Sequence, residues 1–211
     1  MKESEHIKLN EAKWDKWAAT VDGKSIKYDY LRSAQLGVIS LLNLKENLSM
    51  LDIGCGTGWA LGQAAKLTGD KGSFFGVDLS EKMIEKAKEN FRGRENFHFL
   101  KANAEDIPLG DDQFDIIICT NSFHHYFHPD KALKEMHRLL KTGGMVYILD
   151  PPVESWIAKF LAKVIHLFER AHVKFHSSKE FQKMISAAEF TYHGPQKVMK
   201  HQIVQVGEKK Y

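Results

Sequence analysis

The residues with the clearest chemical content stand together as Asp52-Ile53-Gly54-Cys55-Gly56-Thr57-Gly58. Glycines at alternate positions permit a tight turn and a close approach of backbone to a ligand, and a helix beginning there offers N–H groups that lack partners of their own. Such a turn suits a negatively charged group. It is answered by Asp78, 20 residues after Gly58. An ionised carboxylate has two oxygens and only accepts, so Asp78 can take both hydroxyls of a ribose. Asp52 stands two residues ahead of Gly54, where a carboxylate would repel a pyrophosphate and attract an ammonium group, directly or through water.

A second concentration is Asn121-Ser122-Phe123-His124-His125-Tyr126-Phe127-His128. Histidine exchanges a proton near neutral pH, which makes His124 and His125 the candidate catalytic residues, as a base or a substrate contact. The competing reading is that the rings serve packing, and on regular structure two adjacent histidines cannot both face one cleft. Asn121, by its position, touches cofactor or substrate. No acidic or cysteine partner has ligand spacing around His124, His125 and His128, so no metal is expected. The two cysteines, Cys55 and Cys119, are unpatterned and read as small buried residues rather than as a disulfide or zinc site.

The elements that must position these groups follow from periodicity. The first 45 residues read mainly as helix: Trp14, Trp17 and Ala18 share one face, and Leu31, Ala34, Gln35, Val38, Leu41 and Leu42 repeat near 3.6. A polar turn, Asp22-Gly23-Lys24-Ser25, separates the two. From residue 49 the rhythm changes to strand, loop, helix. Strands are predicted over Met50–Ile53, Ser73–Val77, Asn96–Leu100, Phe114–Cys119 and Met145–Leu149, the fourth apolar enough to be buried on both faces. Helices run from Trp59 to Leu67, from an N-cap at Ser80 with Met83, Ile84, Ala87 and Phe91 on one face, and from Pro129-Asp130 until Gly143-Gly144 terminates it. Alternating strands and helices imply parallel pairing through right-handed crossovers, hence a doubly wound open sheet whose ligands bind at the carboxyl ends of its strands.

Two cofactor classes compete for this arrangement. The dinucleotide pattern GxGxxG needs a glycine where this chain has Trp59. A ligand with a ribose, an ammonium and a carboxylate but no phosphate satisfies every feature, and S-adenosylmethionine is that ligand. The ordered segments LDIGCGTG, GVDLS, AEDIP, FDIIICTNSFHH and LLKTGG resemble the class I S-adenosylmethionine-dependent methyltransferases, and within them the small-molecule branch that includes ubiquinone and menaquinone methyltransferases. The resemblance is strong over residues 46 to 150 and weaker beyond, where HSSKEFQKMISAAEF resembles the family's late helix. It implies that Gly54, Cys55, Gly56 and Gly58 line the methionine part of the cofactor, that Asp52 holds its ammonium and that Asp78 binds the ribose. Leu79 and Met83 would lie against the adenine, with Asn103, Ala104 and Glu105 near its amino and ring nitrogens. Asn103 replaces the family's usual aspartate, Thr142 its proline, and Glu189 the glycine that commonly follows Ala188.

The resemblance further implies a Rossmann-like α/β fold with a seven-stranded, mostly parallel sheet in the order 3-2-1-4-5-7-6, helices on both faces and an amino-terminal helical cap. One domain is expected over 1–211, with the cap at 1–45, the cofactor core at 46–150, a substrate-side cap at 151–178, and a last helix and strands at 179–211. Residues 154 to 170 read as a helix with Lys159, Lys163, His166 and Arg170 on one stripe and an otherwise apolar surface. It would roof an apolar acceptor pocket, form a homodimer contact or rest on a membrane surface. Trp14, Trp17, Tyr28 and Tyr30 either close over the cofactor or belong to the core. A formal charge of +3 with interleaved signs argues against a nucleic-acid partner. The charged amino terminus and the lack of a long apolar run point to a cytoplasmic location without a transmembrane segment, for a monomer or a homodimer. The expected activity is in-line methyl transfer to a small apolar or aromatic metabolite. A non-catalytic cofactor-binding protein and an NAD-dependent oxidoreductase are the alternatives.

Overall fold

The computed structural model describes residues 2–20, 26–151, 153–154, 174–199 and 202–211. The predicted turn at Asp22–Ser25 and most of the predicted cap helix, with Lys159, Lys163, His166 and Arg170, lie outside them. Two helices lead, α1 (Glu3–Ala18) and α2 (Ile26–Ile39). The alternating core follows: β1 (Ser49–Ile53), α3 (Trp59–Leu67), β2 (Ser73–Asp78), α4 (Glu81–Asn90), β3 (Phe97–Lys101), β4 (Phe114–Thr120), α5 (Pro129–Leu139) and β5 (Leu140–Asp150). The chain ends in α6 (Ser178–Ala187), β6 (Phe190–Met199) and β7 (Gln202–Lys209).

The strands form one sheet in the order β3-β2-β1-β4-β5-β7-β6, as expected. β1 to β5 pair in parallel, while β7 runs antiparallel to both β5 and β6. Side chains alternate across the sheet. Met50, Phe74, Ile116 and Ile118 face a core completed by α2, α3 and α4. Leu51, Ile53, Ile117 and Cys119 face the opposite core under α5 and α6. β4 is therefore apolar on both faces because both faces are covered. Among the described residues no helix is long and apolar enough to cross a membrane.

Caps behave as the sequence suggests. Met83 N–H donates to Ser80 Oγ at 3.2 Å, and Pro129 occupies the first turn of α5; the structure adds a capping box, Ser177 with Glu180, on α6. Several boundaries differ from the predicted ones, most by one residue, and the strand register explains two of them. α5 ends at Leu139 rather than at the glycines, since Leu140 is already extended and pairs with Phe114. The ladder then skips to Ile116 against Met145, so Lys141 to Gly144 are a bulge inside β5. The third strand is also shifted by one residue, running to Lys101 because Lys101 pairs with Asp78. Where the family commonly has glycine, Glu189 adopts φ +67°, the left-handed conformation the exit from α6 requires.

Candidate active site

The glycine turn gets its shape from two backbone demands. Gly54, Gly56 and Gly58 all have positive φ, at 78°, 54° and 77°, a region side chains disfavour. A Cβ on Gly54 would also strike the Ser122 side chain, with Cβ only 2.6 Å from Cβ. A Cβ on Gly56 would meet nothing within 4 Å. Gly56 opens onto a cavity of about 390 Å³ at the carboxyl edge of the sheet.

Asp78 ends β2 at that edge. Its carboxylate accepts from Gly56 N–H and from Ser80 N–H, each at 2.9 Å, and so ties the glycine turn to the start of α4. Burial raises its pKa, against the pull of those backbone donors. Asp52 is fully buried, and neither carboxylate oxygen has a hydrogen-bond partner among the described residues. Burial first, and then repulsion from Asp78, push it up to about 8. Cys55 is driven well above its ordinary thiol range by the same burial and by the charges of Asp78 and Asp52. Cys119 is pushed up to about 12. Both thiols are free and buried, and neither is a nucleophile at neutral pH.

Most of the residues singled out in the sequence meet in the cavity wall. Gly54, Cys55 and Gly56 form one end, with Asp78, Leu79 and Met83 beside them. Asn103, Ala104 and Glu105 follow, and Asn121, His124 and His125 complete the edge. Gly58 is not in the wall; it precedes α3 in the left-handed conformation, and a Cβ there would press on Phe99 and Phe91. Asp52 is not in the wall either and lies behind the turn, because strand alternation sends its side chain to the opposite face of the sheet from Ile53, which does line the cavity. Asn103 Oδ1 accepts from Glu105 N–H at 3.2 Å, which fixes that turn. Glu105 Oε1 accepts from His128 N–H at 2.8 Å.

Both histidines line the cavity, contrary to the expectation for regular structure, because Phe123–His125 is a single 3₁₀ turn with its rings 4.1 Å apart. They are not equivalent. His125 sits edge-on to Trp14 at 5.1 Å, and its carbonyl accepts from His6 Nε2 at 2.7 Å. His124 Nδ1 lies 2.9 Å from Oδ1 of Asp150, the last residue of β5. Asp150 belongs to none of the sequence motifs, although a carboxylate ending a strand at the ligand edge is a usable signal. Glu3 and Glu105 come near His128, with ligand atoms within 4.8 Å. These acids are distant in sequence, so local spacing does not reveal them.

The amino-terminal helices supply the wall that local patterns left ambiguous. Trp14, Trp17 and Tyr30 line the cavity, Trp17 while also packing on the buried Ala18 and Met83. Helix α1 is held by Lys101 on Glu11 at 2.5 Å, by Asp15 at the Ser80 cap, and by the buried His6 and Asn10. From α2, Gln35 donates to Thr120 at 3.3 Å, and the Arg32 guanidinium lies 5.6 Å over the Trp59 ring beside the glycine turn.

A model of the methyltransferase domain matches residues 44–209. The chain belongs to this family. Demethylmenaquinone methyltransferase of Staphylococcus epidermidis is 34% identical over 67% of this chain and 62% of its own length. Among solved structures, the methyltransferase in a complex with the Haloferax volcanii Trm112 methyltransferase activator superposes with a TM-score of 0.81 at 20% identity, over 94% of this chain and 98% of that one. A SAM-dependent methyltransferase from Aquifex aeolicus gives 0.71 at 23% identity, over 92% and 97%. The chain spans about three fifths of the length of the curated relatives it matches first. S-adenosylmethionine, for which the Aquifex aeolicus protein is named, is the cofactor to set against this site. The residues present fit it: the bare backbone at Gly56 leaves room for a close ligand, and the buried Asp52, without a hydrogen-bond partner among the described residues, provides behind the turn a carboxyl that an ammonium would ionise.

Proposed function

We propose that this protein transfers a methyl group from S-adenosylmethionine to a small apolar or aromatic acceptor. The observation that carries this reading is the joining of two unlike ends in one cavity. One end has the glycine turn and the Asp78 carboxylate, while the other is walled by Trp14, Trp17, Tyr30, Phe127 and the two histidines. When bound, the cofactor supplies a methyl on a sulfonium, and sulfur keeps the C–S electron pair as the methyl leaves.

The chain's own residues then align and shield. Asp78 grips the ribose hydroxyls while holding Gly56 in place, and Asp52 offers charge to the amino acid's ammonium through the turn. Arg32 is placed for the carboxylate, with Leu79, Met83 and Ala104 against the adenine and Asn103, Glu105 and Asn121 as its polar neighbours. Helix α1 covers the acceptor end and excludes water, which favours a transition state whose charge is more dispersed than that of the reactants. The relative from S. epidermidis is named for demethylmenaquinone, so quinols and phenols are the first acceptors to try. A cytoplasmic location belongs to the same reading, supported by the two free, buried thiols.

Calorimetry with S-adenosylhomocysteine tests the cofactor end, and its release on incubation with S-adenosylmethionine and a panel of quinols and phenols tests the reaction. Micromolar binding and acceptor-dependent release are expected. A folded protein that ignores S-adenosylhomocysteine at millimolar concentration would refute the reading.

A further inference from the structure

We propose that Glu3, Glu105 and His128 form a site for one zinc ion, which fastens the start of α1 over the cavity. The site lies outside the methyl-transfer chemistry and does not depend on it. Among the described residues these three offer one ligand atom each, all within 4.8 Å of one another. They come from three separate places: Glu3 opens α1, Glu105 follows β3, and His128 immediately precedes α5. Only the fold joins them.

Glu105 is fixed from both ends. Its N–H donates to Asn103 Oδ1 at 3.2 Å, and its Oε1 accepts from the His128 N–H at 2.8 Å. Its Oε2 is buried and has no hydrogen-bond partner among the described residues. A buried carboxylate oxygen in that position is costly unless a cation meets it. Zinc bonds to imidazole nitrogen and carboxylate oxygen are about 2.0 to 2.2 Å long, which makes the edge of the zinc tetrahedron about 3.4 Å. His128 Nε2 stands 3.4 Å from Glu3 Oε2, the length of such an edge. Glu3 is partly exposed at a helix end, so its side chain is free to close on the ion, with water as the fourth ligand. Charge points the same way. A protonated His128 would offset one of the two carboxylates, and an exposed ion pair of that kind contributes little. A divalent ion offsets both and takes the imidazole as a neutral ligand. An imidazole in the set favours zinc over magnesium or calcium, which prefer oxygen.

The consequence is for α1. Its buried residues are His6, Asn10 and Ala18, two of them polar, so apolar burial holds the helix weakly. Polar contacts hold it instead, among them Lys101 on Glu11 and His6 on the His125 carbonyl. An element attached in this way opens at a small cost in free energy. An ion that joins Glu3 to the loop after β3 and to the start of α5 ties down the end of α1. Phe127 carries this tie to the cavity wall, since its ring lies 4.9 Å from that of His128 and 5.4 Å from that of His6.

The test is calorimetric titration of the whole untagged chain with Zn2+ alone and with Mg2+ alone, followed by hydrogen exchange of the α1 amides. One zinc ion per chain should bind at micromolar concentration, and Mg2+ should not displace it. Glu3 and His128 are partly exposed and neither lines the cavity, so Glu3→Gln and His128→Gln should fold. Each should weaken zinc about a hundredfold or more, since losing even an indirect partner of a metal ligand costs roughly ten- to a hundredfold. Because the ion binds only while α1 is docked, amides from Ile7 to Trp17 should exchange about a hundredfold more slowly at a zinc concentration about a hundred times the dissociation constant. Glu3→Gln should show no such slowing. The proposal is overturned if zinc fails to bind at millimolar concentration, if Mg2+ competes equally, or if exchange in α1 is unchanged. It is overturned too if either variant binds zinc as the wild type does, which would mark an adventitious ion only. Should one variant not fold, the other decides, together with Glu105→Gln, whose amide oxygen still accepts from the His128 N–H while the anionic ligand is lost. S-adenosylhomocysteine is left out throughout, so none of these outcomes bears on the methyl-transfer reading.

Discussion

Cofactor binding should expel a proton from Asp52. Lifting this carboxyl from 3.8 to about 8 means that its surroundings disfavour the ionised form by roughly 6 kcal/mol. At pH 7 about nine-tenths of the free protein then carries Asp52 protonated. An ammonium brought up to the turn reverses the balance, since an opposite charge favours the carboxylate. Binding therefore releases close to one proton at pH 7. Affinity for S-adenosylhomocysteine should rise about tenfold per pH unit up to about pH 8 and level off above it, where the free protein is already ionised. The assay is calorimetry at pH 7 in two buffers of different ionisation enthalpy, repeated with Asp52→Asn. The wild-type binding enthalpies should differ by nearly the full buffer difference, and those of Asp52→Asn should agree with each other. Equal wild-type enthalpies would show that the ammonium does not reach the field of Asp52. The same raised pKa bears on folding. Between pH 3.8 and about 8 the folded state keeps a proton the unfolded state loses, so this group's contribution to stability declines across that window. Asp52→Asn should consequently melt several degrees above the wild type at about pH 9 and near it at about pH 4.

Gly54→Ala combines a disfavoured φ of +78° with a clash on Ser122, whose Oγ is held by the Ile53 carbonyl and Tyr126. It should cost about 2 kcal/mol or more in urea unfolding and weaken S-adenosylhomocysteine binding; a neutral result would contradict the tight fit of this turn against Ser122. Asp78→Ala removes the acceptor of two backbone N–H groups along with the proposed ribose contact, so affinity should fall about a hundredfold or more, and unchanged binding by calorimetry would dismiss that role. Glu189→Gly relieves a side chain from the left-handed region at φ +67°. After the entropy glycine adds to the unfolded chain, a gain of up to about 1 kcal/mol remains, visible as a melting temperature raised by roughly 2 to 4 °C. A lower melting temperature would show the conformation to be unstrained.

The cofactor end is legible in the sequence because its chemistry is local. Gly54, Gly56 and Asp78 sit where a strand stops, and the apolar periods of β1, β2 and β4 fix which ends of the strands share an edge. Ser80 as N-cap and the two-faced burial of β4 are equally readable, since each rests on neighbours a few residues away or on one alternating run. Gly58 and Asp52 are assigned to the wall by motif alone, and a motif does not say which way a side chain points. Their places behind the turn follow from strand alternation and from the packing of Phe91 and Phe99.

The acceptor end is decided by the tertiary structure. Trp14 and Trp17 show the spacing of a core helix, and only the docking of α1 through Glu11, Asp15 and His6 turns them toward the cavity. His124 and His125 look interchangeable in the chain, and their difference depends on Asp150, 26 residues beyond His124. Residue types and short periods thus determined a doubly wound parallel sheet, its ligand edge and the chemistry of the glycine turn, while the strand order followed from the family resemblance. Contacts between segments far apart in sequence determined which ring has a carboxylate behind it and which aromatic side chains enclose the acceptor, because hydrogen-bond distances and ring packing exist only once those segments are brought together.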